Sequence, residues 1–184
     1  MTTVLAISGS LRKGSYNSGL VRAAVAHAPE GVNVEVYDGL EALPHYNQDV
    51  EDAGAPPAVV ELRDKIKAAD ALLISTPEYN GSLPGALKDL IDWASRPYGP
   101  EASTYSKPVA VVSISPTDYG AVWAADHLRK GLGIAGARVA DIEFTVAGAS
   151  SKFDEHGDLT DAETLGRLEE VLETLVQHHR ALAA

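Results

Sequence analysis

The chain has no cysteine and few aromatic residues, 6% of its 184 positions. Without thiols there are no disulfides, no thiolate-held zinc or iron–sulfur centre, no redox cysteine pair and no cysteine nucleophile, so cysteine-dependent phosphatases are excluded. Long apolar runs are missing too. Nothing approaches the roughly eighteen uninterrupted apolar residues of a membrane span, and no basic segment with a signal-type apolar core precedes the first strand. A soluble, cytoplasmic protein is the expectation. Basic residues are scarce, with 15 Lys and Arg against 26 Asp and Glu for a formal net charge of −11. Such a surface repels nucleic acid and anionic lipid, so neither nucleic acid nor membrane is expected as a partner. Metal-ligand spacing is also lacking: His178 and His179 are adjacent and diverge by about 100° on a helix, and the other histidines are scattered. No G-x-S-x-G elbow supports a serine hydrolase.

What is present is an alternation of strand and helix. With 45% hydrophobic residues, the chain can build a full core as a single domain over residues 1–184. Apolar runs at 4–7, 32–37, 71–75 and 109–114 read as strands, with a fifth inside 137–146. Helical spacing places Leu20, Val21, Ala24, Val25 and Ala28 on a helix from Asn17 to Ala28, stopped by Pro29. The same spacing puts Val59, Leu62, Ile66 and Ala69 on a helix opened by Pro56-Pro57, and Leu87, Leu90, Ile91 and Ala94 on one opened by Pro84. Ala125, Leu128 and Leu132 mark a further helix, and Leu165, Leu168, Leu172 and Leu175 stripe a last one from Asp161 to Leu182. Five alternations call for an α/β three-layer sandwich, a parallel sheet with helices on both faces. By analogy with flavodoxin-like sheets the five strands take the order 2-1-3-4-5. That order sets the polar loops after strands one, three and four on one rim, where ligands of such sheets sit.

The first of these loops, Ser8-Gly9-Ser10-Leu11-Arg12-Lys13-Gly14-Ser15-Tyr16-Asn17-Ser18, joins strand to helix. Its glycines let backbone N–H groups converge, its serines and Asn17 add short donors, and Arg12 and Lys13 bring positive charge to a helix N-terminus, the makings of an anion cradle. The alternative is an ordinary polar loop with Asn17 or Ser18 as the helix N-cap. Spacing narrows the anion. Gly9 and Gly14 stand as the glycines of a nucleoside-triphosphate loop do, yet Ser15 and Tyr16 follow where that loop needs Lys and Ser or Thr. Ile7 and Arg12 occupy positions that a dinucleotide fingerprint reserves for glycine. What remains is a terminal phosphate monoester, bound by hydroxyls, amides and Arg12 without metal.

The run Gly9 to Asn17, taken with Pro77-Glu78-Tyr79-Asn80 after strand three, resembles the NAD(P)H-dependent FMN reductase family, whose members include quinone, chromate and azo-dye reductases. Pro44-His45-Tyr46-Asn47-Gln48-Asp49, the run Gly85 to Pro97 and Lys152-Phe153-Asp154 are similar to family positions as well. The resemblance implies FMN as cofactor, NADPH or NADH as co-substrate, and a small acceptor such as a quinone or a second flavin. It implies that Ser10, Arg12, Ser15, Asn17 and Ser18, with Leu11, Lys13, Gly14 and Tyr16 among them, hold the FMN phosphate. Pro77, Glu78, Tyr79, Asn80 and Gly81 would line the flavin ring and Ser115 would close the site. No side chain is assigned as catalytic, because the flavin carries the chemistry, and Glu78 reads as ordering its loop.

The resemblance also implies a homodimer or tetramer, with Trp123 and the helix of Trp93 offering large aromatics as interface anchors. One departure stands out. Many relatives have Gly-Gly-Ala-Arg after strand four, where this chain has Gly120-Ala121-Val122-Trp123. A bulky aromatic thus replaces an arginine, as an interface anchor or a pocket wall. The competing function is a flavodoxin-type electron carrier, which binds the same cofactor without oxidising NAD(P)H. Carriers usually hold phosphate on a Thr/Ser-rich loop with no counterpart of Arg12.

Overall fold

The computed structural model describes residues 1–183. Its strands are β1 (Thr2–Ser8), β2 (Val32–Tyr37), β3 (Ala71–Thr76), β4 (Pro108–Ile114), β5 (Arg138–Val139) and β6 (Thr145–Val146). Its helices are α1 (Tyr16–Ala26), α2 (Gln48–Ala53), α3 (Pro57–Ala68), α4 (Gly85–Ala94), α5 (Val122–Ile134) and α6 (Ala162–Ala183). All strand pairs are parallel, in the order β2-β1-β3-β4-β5 with β6 also on β4. This is the flavodoxin-like order expected. β3 and β4 are buried along their whole length. Strands covered on both faces have no polar side to show, which is why they read as continuous apolar runs.

Successive side chains leave a strand on opposite faces, so the core falls into two layers. Leu5, Ile7, Leu72, Ile74 and Val111 pack with residues of α3, α4 and α5, while Val4, Ala6, Leu73, Ala110 and Val112 pack with residues of α1 and α6. The helical stripes expected on those helices meet the sheet, except that on α1 Val25 is exposed, Ala23 is buried in its place, and Ala28 lies beyond the helix end.

Four expectations need correction. Residues 137–146 do not form one strand: β5 pairs with Pro108 and Val109, β6 with Ser113 and Ile114, and the chain leaves the sheet between them. Arg129 fills the gap, its guanidinium donating to the carbonyls of Val111 at 3.3 Å and Ile142 at 2.7 Å. The N-cap of α1 is Ser15, whose hydroxyl accepts from the Asn17 N–H at 3.2 Å, and neither Asn17 nor Ser18. Trp93 is fully buried with its indole N–H on the Pro44 carbonyl at 2.8 Å, so it belongs to the core and cannot anchor an interface. Finally, α2 has no counterpart among the predicted helices. Asp161, just before α6, caps that helix, accepting from the Thr164 N–H at 2.9 Å.

Candidate functional site

The β1–α1 loop is bound to the rim from its first residue. The Gly9 N–H donates to the Ser75 carbonyl at 2.7 Å, and a Cβ at Gly9 would run into the Leu87 side chain. Glycine allows so close a crossing over α4. Asn17 makes the deeper tie. It is 3% exposed; its Nδ2 donates to the Ile114 carbonyl at 3.2 Å and its Oδ1 accepts from the Ser75 hydroxyl at 2.8 Å. A single amide thus joins the start of α1 to the ends of β3 and β4. Spacing alone pointed to Asn17 as an anion donor; the structure turns these bonds inward, beneath the loop.

Above that base the donors face outward. Leu11, Arg12, Lys13 and Gly14 are exposed, and Gly14 sits at φ +70° with open space where a Cβ would project. Neither Arg12 nor Lys13 enters an ion pair among the described residues. The first turn of α1 carries no acidic residue, so the positive end of its dipole stands beside two unpaired cations, a local attraction for anions in an acidic chain. Ser10 Oγ accepts from the Arg12 N–H at 3.3 Å, and the Ser8 and Ser18 hydroxyls share a hydrogen bond at 2.9 Å. Tyr16 closes one side, its ring centroid 5.1 Å from that of Phe153 and its hydroxyl 3.3 Å from Ser150 Oγ.

The β3–α4 loop presents a turn. Tyr79 and Ser82 exchange N–H···O bonds of 3.1 Å each, with Asn80 at φ 52° and Gly81 at φ 72°. Left-handed backbone at both central residues is the type I′ turn that an Asn-Gly pair favours. Tyr79 stands half-exposed at its corner. Two bonds tie this loop to α5. Glu78 Oε2 accepts from the Ala124 N–H at 3.1 Å, capping a helix whose own N-cap residue, Ala121, has no side-chain acceptor. Ser82 Oγ meets His127 Nδ1 at 3.0 Å. Glu78 therefore does order its loop. In the third loop the Ser115 N–H donates to the Val146 carbonyl at 3.0 Å, and its hydroxyl shares a bond with Thr117 Oγ1 at 2.9 Å.

The topology brings 10–18, 77–81 and Ser115 to the carboxyl ends of β1, β3 and β4, the same rim. Sequence reasoning missed the supporting partners Ser75, Ser82 and His127. Ser75 carried a signal, a hydroxyl at the end of an otherwise apolar run. The donor set fits a phosphate monoester joined to a flat ring: hydroxyls, two unpaired cations and a helix N-terminus at one end, a half-exposed tyrosine turn at the other. No group of three or more His, Asp or Glu suited to a metal occurs among the described residues, and no described helix is long and apolar enough to cross a membrane.

Comparison with known proteins agrees with this chemistry. The family model described as NADPH-dependent FMN reductase matches residues 2–151. An NAD(P)H-dependent FMN reductase of Pseudomonas aeruginosa is 42% identical over 173 residues, 94% of this chain and 92% of that protein. A quinone reductase of Pseudomonas putida is 41% identical over 160 residues, 86% and 85% of the two chains. Among solved structures, FerB, a flavoenzyme NAD(P)H:(acceptor) oxidoreductase from Paracoccus denitrificans, superposes with a TM-score of 0.87 at 35% identity over 98% of both chains.

Proposed function

The chain belongs to the NADPH-dependent FMN reductase family, and from that premise we propose that it is an FMN-dependent oxidoreductase passing hydride from NADPH or NADH to a small acceptor, a quinone or a second flavin. The observation that carries this reading is the Asn17 tie, which fixes the outward donors of the β1–α1 loop against the ends of β3 and β4. Bound here, FMN would supply the two-electron store between nicotinamide and acceptor. The protein's part is to hold and orient.

In this reading the side chains of Ser10, Arg12, Lys13, Ser15 and Ser18 bind the phosphate dianion, with Leu11, Gly14 and Tyr16 shaping the loop around it. Asn17 acts beneath them as a strut. Pro77, Glu78, Tyr79, Asn80 and Gly81 form the wall beside the flavin ring, held by the Glu78 and Ser82 bonds to α5, and Ser115 closes the far edge. The whole chain works as one FMN-binding domain, in the cytoplasm, as a homodimer or tetramer.

Steady-state kinetics test the reading. If one face of the site serves nicotinamide and acceptor in turn, double-reciprocal plots against NADPH at several quinone concentrations are parallel, and EDTA leaves the rate unchanged. Intersecting lines would contradict alternate use of the site, and flavin release by EDTA would contradict a metal-free cradle.

A further inference from the structure

The ties within the cofactor site leave Tyr119 and Trp123 unused, although both lie on its border. Their centroids are 4.8 Å apart with planes inclined by 45°, and they remain 63% and 46% exposed. Trp123 immediately precedes Ala124, whose N–H is held by Glu78. Residues four apart share a helix face, so Trp123 lies on the face of His127, which is bonded to Ser82. Both sides of the Tyr79 turn are therefore bonded to the helical turn that carries Trp123. The helical turn that carries Trp123 is tied to the wall assigned to the flavin ring, Tyr119 packs against Trp123, and both rings still face solvent.

We propose that Tyr119 and Trp123 form a stacking platform that makes the acceptor site selective for planar fused-ring acceptors, naphthoquinones in preference to single-ring quinones or inorganic oxidants. The proposal rests on the reductase reading above and names the acceptor class of that site. With the two planes inclined by 45°, a flat acceptor stacks on the indole and meets the phenol ring at its edge; a fused bicycle covers more of the indole than a single ring does, and stacking of that kind changes affinity by about tenfold.

The test uses FMN-loaded protein. Menadione and benzoquinone are titrated calorimetrically into the oxidised wild type, Trp123→Ala, Trp123→Phe and Tyr119→Ala, and the ratio of kcat/KM for menadione to that for ferricyanide is measured for each. The platform predicts about tenfold weaker menadione binding and a similar fall in the ratio for Trp123→Ala, a smaller change for Tyr119→Ala, and recovery in Trp123→Phe. An unaltered ratio, or equal losses for all acceptors, overturns it. So does conversion of an oligomer to a monomer by Trp123→Ala in light scattering, which would assign the residue to a subunit interface. A wild type whose flavin NADPH does not bleach overturns the reductase reading and the platform with it; bleaching with an unaltered ratio overturns the platform alone.

Discussion

The β1–α1 loop and the β4–α5 loop share one rim and are built in opposite ways. The first is fixed from below by buried polar groups: Asn17 reaches the ends of β3 and β4, and at Gly9 a side chain would press on Leu87. The second is held from the side. Its helix is capped by Glu78 of another loop, Ala121 sits at φ 67°, and Tyr119 and Trp123 face solvent. A phosphate is a small target whose charge-assisted bonds need donors placed to a fraction of an ångström, so a rigid base serves it. A loop that meets exchangeable substrates takes its shape from a neighbour and can change its side chains without disturbing that base.

The sharpest way to break the contrast is Asn17→Ala. It leaves the Ile114 carbonyl and the Ser75 hydroxyl buried without their partner, and urea unfolding should show a loss of about 3 kcal/mol, together with failure to retain FMN on desalting. A loss below about 1 kcal/mol would refute the strut. Arg12→Ala should separate binding from stability. Arg12 is exposed, so apoprotein unfolding stays as it was, while calorimetry should show FMN affinity down about tenfold to a hundredfold, ~1.5 to 3 kcal/mol. An unchanged FMN affinity would remove Arg12 from the cradle.

Ala121→Gly probes the other loop. A left-handed alanine costs about 1–2 kcal/mol and glycine gives back part of that as chain entropy, so the variant should gain about 1 kcal/mol or less in thermal unfolding. A loss there would show the backbone at Ala121 to be unstrained. The smallest effect at neutral pH is expected behind the cradle. Hydrogen bonds from Thr164 and Lys152 hold the Asp161 carboxyl at about 2, below its ordinary 3.8. Its folded pKa being depressed, the stabilisation is present above the ordinary value and is lost as pH falls through the folded one. Asp161→Asn keeps the cap of α6 but not the charge, so it should be a little less stable than wild type at pH 7 and converge on it as pH falls through those two values. A wild type and variant with parallel acid limbs would show that Asp161 does not couple to folding.

Where the chain is uniform in character, it was legible. β3 and β4 are covered on both faces and so are apolar throughout, and the stripes of α3, α4 and α6 are long enough to declare their period. The fifth strand position was not, because β5 and β6 contribute only two residues each and the gap between them is filled by Arg129 from α5. α2 buries none of its six residues, so it has no apolar face to announce it. Within the site, the donors of the first loop and the Asn-Gly turn follow from residue type. The inward role of Asn17 does not: an asparagine at a helix start suits a cap, an anion or a strut equally, and only the nearness of Ser75 and Ile114 in the fold decides among them.

Anaerobic titration of the FMN-loaded protein with NADPH and with NADH, followed at the flavin absorbance, tests the reductase account most directly. The account predicts that at least one nucleotide bleaches the flavin within seconds and that a quinone restores the colour. Flavin that stays oxidised with both nucleotides, and is bleached instead by a reduced protein partner, would contradict it and make the chain an electron carrier.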